Sequence, residues 1–298
     1  MLKIIERTKI WFTISLTIIF LGVAFMIYNG ATTGKPLEFG LDFAGGNVMD
    51  VNINKSFNRD DVQKIVDKYV KDATVNKTNS GKAVEIKSGS ITDNTQSKIF
   101  NDLKSKYKLN NKDLTSQTVG ASVGKELEQK AIMALVIANI LVLIYIGIRF
   151  EFKFGLAAII SLVHDILITL ACYAIFRITI NTPFIAGMLT VVGYSVADTV
   201  VIFDRIRENQ KKSRRMELAE LANTSLTQTI VRSIYTVLTV VISVLSVHIF
   251  VPSVREFTIP LLVGIISGCY SSIFIASPLW VIFKKRSDRK KAKLKAAN

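Results

Sequence analysis

The sequence predicts a polytopic α-helical membrane protein with six transmembrane helices and one α+β domain inserted between the first helix and the other five. Three observations predict it. Half of the 298 residues are hydrophobic and the mean hydropathy is +0.37, yet 20% are charged, so the apolar residues must be gathered in blocks. Six blocks reach or approach the roughly 20 apolar residues that cross a hydrocarbon core about 30 Å thick. Between the first and second blocks, residues 29–129 are polar and alternate in the manner of strands and helices.

The predicted spans are Ile10–Tyr28, Ala131–Ile148, Phe154–Phe176, Pro183–Phe203, Ser225–Phe250 and Phe257–Phe283. They divide the chain into an N-terminus with the first helix (1–28), an external domain (29–129), a five-helix remainder (130–283) and a basic tail (284–298). The first block follows Lys3, Arg7 and Lys9 and resembles a secretory signal. It is too long for a signal h-region and lacks an A-x-A exit, so it reads as an uncleaved anchor. Cys172 and Cys269 both fall inside spans, without disulfide or metal spacing, and read as small core hydrophobes.

The formal charge is +15, and its placement matters more than its sum. Lys and Arg number three before the first span, two between spans two and three, six between spans four and five, and eight after span six. The short opposite loops carry only Arg177 and Arg255. The positive-inside rule then places both termini in the cytoplasm and residues 29–129 outside. MELAELA within 204–224 reads as an amphipathic helix on the cytoplasmic surface. The tail KKRSDRKKAKLKAAN reads as a disordered polybasic end that fixes topology and can touch anionic lipid.

Within the external domain, strands are expected near Asn47–Ile53, Ala73–Lys77, Ala83–Lys87 and Asp113–Val119, with helices near Asn58–Val70 and Asp93–Tyr107. That is βαββαβ, the ferredoxin-like order. Ser56 or Asn58 can cap the first helix, Thr92 or Asp93 the second, and Asn79-Ser80-Gly81 can turn the middle hairpin. The domain holds no His, no Cys and no convergent acidic cluster. No catalytic centre, metal site or cofactor is expected, and no ATP-binding P-loop is present.

Ionisable residues deep in a bilayer are costly, so each is a functional candidate. Span three has His164 and Asp165, span four Asp198 and span five Arg232. Spans four and five run in opposite directions, which puts Asp198 and Arg232 at matched depth, where a carboxylate and a guanidinium can neutralise one another. Ser225, Thr229, Arg232, Thr236, Thr239, Ser243 and Ser246 recur at helical spacing and mark one polar stripe on span five. Tyr194 and Ser195 sit one turn before Asp198, while Ser161, Asp165 and Thr169 line one face of span three. Together these residues can enclose a hydrated ion path. The plainer alternative is hydroxyls bonded to their own backbones and a static bridge between helices. Gly264 with Gly268, and Gly193 with Ala197, permit close helix contacts.

Three segments carry a family resemblance: GLDFAGG at 40–46, GYSVADTVVIFDRIREN at 193–209 and SLTQTIVRS at 225–233. They resemble the SecF branch of the SecD/SecF family, within the resistance-nodulation-division superfamily. The resemblance implies a bacterial plasma (inner) membrane subunit that works with SecD, the SecYEG channel and YajC, and indirectly with SecA. It implies use of the proton or sodium gradient to move unfolded secretory polypeptide. It carries ion coupling to Asp198 and Arg232, and marks Gly40, Asp42, Gly45, Gly46, Asp204, Arg205 and Arg207 as motif positions. Ala197 stands where the family commonly has Asn, removing an amide that could solvate Asp198. An exporter of small molecules or lipids, and a scaffold without transduction, are the competing readings.

Overall fold

The computed structural model describes the chain except residues 1, 72, 79, 80, 120, 214, 215, 252, 253 and 298, together with the side chains of 119, 121–123 and 291–297. The chain forms two compact units, residues 39–132 and residues 1–38 with 133–298.

In the first unit, a one-turn helix α2 (Leu41–Ala44) leads into β1 (Gly46–Asn52). There follow α3 (Arg59–Val66), β2 (Thr74–Thr78), β3 (Ala83–Ser88), α4 (Asp93–Tyr107) and β4 (Leu114–Val119). The strands make one antiparallel sheet in the order β2-β3-β1-β4. Alternation puts Met49, Val51, Val75, Val84 and Ile86 on one face, where Val62, Val66, Ile99 and Leu103 of α3 and α4 close a dry core. Asp50 and Glu85 are paired on the other face. Burial and then the Glu85 charge push the Asp50 carboxyl above its ordinary value, against the pull of Lys87. Asn58 caps α3 by accepting from the Asp60 amide at 3.0 Å, and Thr92 caps α4 in a reciprocal box with Thr95. The Asn79-Ser80 turn expected between β2 and β3 lies outside the described residues.

The positive φ expected of GLDFAGG is found at Gly45 (76°) and Gly46 (145°), while Gly40 precedes α2 in extended backbone. A Cβ on Gly46 would come within 2.8 Å of the Ser88 carbonyl oxygen, so side chains are excluded on two grounds.

Among the described residues six helices are long and apolar enough to cross a membrane. They are α1 (Thr8–Thr33), α5 (Ala121–Arg149), α6 (Phe152–Phe176), α7 (Thr182–Lys212), α8 (Leu218–Phe250), and a last helix in three parts. Those parts are α9 (Arg255–Ser271), a π-helical segment (Ser272–Ala276) and α10 (Ser277–Ala297). Outward faces of α1, α5 and α8 carry exposed Phe20, Ile27, Leu141, Ile148, Tyr235 and Ile242, as a hydrocarbon surround requires. Helices α6, α7 and α9 supply the buried centre.

Two expectations are corrected. MELAELA is not a separate surface helix, because from Leu218 it forms the first turns of α8, with Leu221 and Ala222 buried. Asn223 anchors that end, accepting from the Ile4 and Ile5 amides and donating to Glu6. The tail is helical rather than disordered, since α10 continues the last span to Ala297.

Helices approach closely where side chains vanish. A Cβ on Gly22 of α1 would sit 2.2 Å from Ala171 Cβ of α6, and one on Gly264 of α9 would sit 2.4 Å from Val191 Cγ2 of α7. Gly193, expected to serve a similar contact, faces open space. Gly264→Leu should therefore cost about 1–3 kcal/mol by overpacking, while Gly193→Ala should be neutral or stabilising by up to about 1 kcal/mol. Thermal unfolding of the purified variants checks the contrast.

Candidate functional site

Asp165 lies at the centre of the bundle and is 1% exposed. Its position follows from α6 carrying an unbroken polar face, Ser161, Asp165 and Thr169, all buried. Carboxylate oxygen Oδ1 accepts from Ser267 Oγ of α9 at 2.7 Å and lies 3.2 Å from His164 Nδ1. Oδ2 accepts from Ser195 Oγ of α7 and Ser271 Oγ of α9, both at 2.8 Å. Thr169 donates to the Asp165 backbone carbonyl, while the Ser161 hydroxyl is buried with no hydrogen-bond partner among the described residues. One carboxylate thus collects hydroxyls from two neighbouring helices.

His164 extends the cluster to the first helix. Its Nε2 is 2.9 Å from Ser15 Oγ of α1, and its ring stacks near Tyr270, whose hydroxyl donates to the Trp11 carbonyl. The sequence placed His164 and Asp165 together and Ser195 near Asp198. It missed Ser267, Ser271, Ser272 and Thr199, the last two joined hydroxyl to hydroxyl at 2.7 Å. Spacing could have found two of them, since Ser267 and Ser271 are one turn apart on the last span.

Asp198 is the second acid inside the bundle, and it is half-buried. Ser233 Oγ of α8 donates to its Oδ1 at 2.6 Å, while the buried Oδ2 has no hydrogen-bond partner among the described residues. The expected direct pair with Arg232 is not formed. Arg232 is exposed and acts on Asp198 only through space, because one residue along α8 turns its side chain about 100° from Ser233. The polar stripe of α8 is likewise divided. Ser225, Thr229 and Ser233 are buried, whereas Thr236, Thr239, Ser243 and Ser246 are exposed and donate to carbonyls of their own helix. The buried part of this stripe is therefore limited to its first turns, with Tyr194 donating to the Thr236 carbonyl at 3.2 Å.

The motif end of α7 fastens helices. Arg205 donates to Gln228 of α8 and to Glu208, Arg207 donates to the Arg149 carbonyl at the end of α5, and Asp204 lies 3.8 Å from Arg149. Among the described residues no three His, Cys, Asp or Glu side chains cluster as transition-metal ligands would.

His164→Leu keeps most of the side-chain volume but removes the link between Ser15 and Asp165. It should lower the stability of the purified chain by about 1–3 kcal/mol, read by denaturant or thermal unfolding.

Comparison with known proteins places this geometry. Residues 98–286 match the family described as protein export membrane protein SecD/SecF, C-terminal. The chain is 36% identical over 95% of its length to the protein translocase subunit SecF of Sebaldella termitidis, covering 92% of that protein. It is 39% identical over 85% of its length to the SecDF subunit of Bacillus subtilis, but spans only 35% of that longer chain. The crystal structure of SecDF from Thermus thermophilus, a translocon-associated membrane protein, superposes with a TM-score of 0.77 at 28% identity, over 95% of this chain and 39% of that one. With six membrane-crossing helices and this match over most of its length, the chain is a multi-pass membrane protein and belongs to the SecD/SecF family.

Proposed function

We propose that this chain is the SecF-type subunit of the protein-export machinery, coupling a proton or sodium gradient to the movement of unfolded secretory polypeptide. Its partner is SecD, a reading supported by relatives in which both parts share one chain. SecYEG, YajC and, indirectly, SecA complete the assembly. Residues 39–132 act as an extracytoplasmic, ferredoxin-like domain, supported by their βαββαβ order and antiparallel β2-β3-β1-β4 sheet. Both termini face the cytoplasm, supported by the basic residues of the flanking segments.

The observation that carries the reading is the half-satisfied carboxylate of Asp198. One oxygen is held by Ser233 and the other is buried with no hydrogen bond, near a guanidinium on the helix that faces it. An unfilled acceptor in a low-dielectric interior costs free energy, and an arriving ion or a shift of α8 relieves it. Loading the site therefore changes the preferred placement of α8 against α7. A single charge moving through 100 mV releases about 2.3 kcal/mol, a factor of roughly 50 in an equilibrium between two helix arrangements. That suffices to bias a bundle without unfolding it. Asp165 and His164 take part in the same coupling from the centre.

Asp198→Asn, expressed with SecD at normal levels, should abolish most of the potential-dependent part of export while leaving the potential-independent part. Export assayed in membranes with and without an imposed potential gives the answer. Unchanged dependence would leave a scaffold role, and transport of a labelled lipid or small molecule without SecD would favour a different exporter.

A further inference from the structure

The surroundings of Asp165 differ in kind from those of Asp198. Buried carboxylates are ordinarily neutralised by Arg or Lys, but among the described residues neither pairs with Asp165. Its partners are the hydroxyls of Ser195, Ser267 and Ser271 and the ring of His164. One negative charge and three hydroxyl oxygens, converging from three helices, form the donor set that a small hard cation requires once it has shed its water. A hydroxyl has one hydrogen and two lone pairs, so each serine can donate to the carboxylate when the site is empty and turn an oxygen toward an ion when it is filled.

Two further observations point the same way. The Ser161 hydroxyl, 1% exposed and without a hydrogen-bond partner among the described residues, lies one turn from Asp165 on the same face of α6 and offers a spare oxygen. The π-helical segment Ser272–Ala276 begins directly after Ser271, and such widened turns recur at functional sites because they break the regular bonding ladder. Here the change of register leaves Ser271 and Ser272, adjacent in sequence, both fully buried.

The geometry points to a binding site for a monovalent cation, Na⁺, formed by Asp165, Ser195, Ser267 and Ser271. A single carboxylate balances one positive charge, which disfavours a divalent ion in so dry a place. Ser195 Oγ and Ser271 Oγ each lie at ordinary hydrogen-bond length, 2.8 Å, from one carboxylate oxygen, and the salt series below distinguishes Na⁺ from K⁺. Ser195 is three residues from Asp198 on α7, so filling the central site bears on the helix that carries the second acid. The inference rests on the ion-coupled reading and adds an ion site separate from Asp198.

The test is thermal unfolding of the purified full chain in detergent, titrated with NaCl against KCl and choline chloride at constant ionic strength. The midpoint should rise and saturate with Na⁺ alone. Ser195→Ala and Ser271→Ala, which keep the carboxylate, should each raise the half-saturating Na⁺ concentration about tenfold or more, and Asp165→Ala should abolish the response. Asp198→Asn should leave it intact. Equal midpoints in the three salts, or a Na⁺ response indifferent to the serine variants, would overturn the site, as would its loss in Asp198→Asn. Because the readout is stability of the isolated chain, its outcome is independent of whether Asp198 drives export.

Discussion

A carboxylate carried into a hydrocarbon interior must find its solvation in the protein, and Asp165 finds it in hydroxyls from α7 and α9 and in the ring of its neighbour His164. The rest of the bundle is arranged around that need. Ser195 of α7 and Ser271 of α9 can share one oxygen of Asp165 only if α7 and α9 lie close, and they do so because Gly264 and Gly268 leave room for Val191 and Ser195. The first helix joins through Ser15 and His164 at one level and through the contact of Gly22 with Ala171 at another. Polar recognition and small-residue packing are thus two aspects of one interface.

Asp198 occupies the margin of this tight centre. Its helix, α7, is fixed on one side by the Asp165 cluster, while its other partner, α8, is buried along only its first turns. On either side of Ser233 α8 exposes Val231, Arg232, Ile234, Tyr235 and Thr236, and farther along it packs on Val191, Leu261 and Ile265 through half-buried Val237, Val240, Val241 and Val244. A fully buried element against a partly exposed one is an arrangement in which a change of charge can become a displacement. The satisfied acid and the unsatisfied one therefore have different places in the proposed coupling: the first holds the central helices and the second sits where movement is permitted.

Much of the fold was legible because length and period are robust signals. Each of the six spans, the two capped helices of the external domain and its four strands has its counterpart in the described chain, although α5 and α8 begin well before, and α7 and α10 end well after, the expected bounds. The end of span four was not, since Asp204 to Lys212 reads as a loop by hydropathy yet continues as helix, held by Arg205 and Asn209 on α8. The site was legible in part. Charges inside spans drew attention to Asp165, Asp198 and Arg232, but the orientation of Arg232 depends on which face of α8 meets α7, and the hydroxyl stripe suggested the wrong one beyond Ser233. Ser267, Ser271 and Ser272 were passed over because serine reads as a small residue in a small-residue interface, and Ser272 stands where a π-helical segment begins.

The direct test of the central claim is a double-mutant cycle on unfolding free energy between Asp165→Ala on α6 and Ser195→Ala on α7. If the carboxylate draws the two helices together, the cycle should return a coupling of about 0.5–3 kcal/mol, with the second substitution costing little once the first is made. Additive effects, with no coupling between the two positions, would contradict the account.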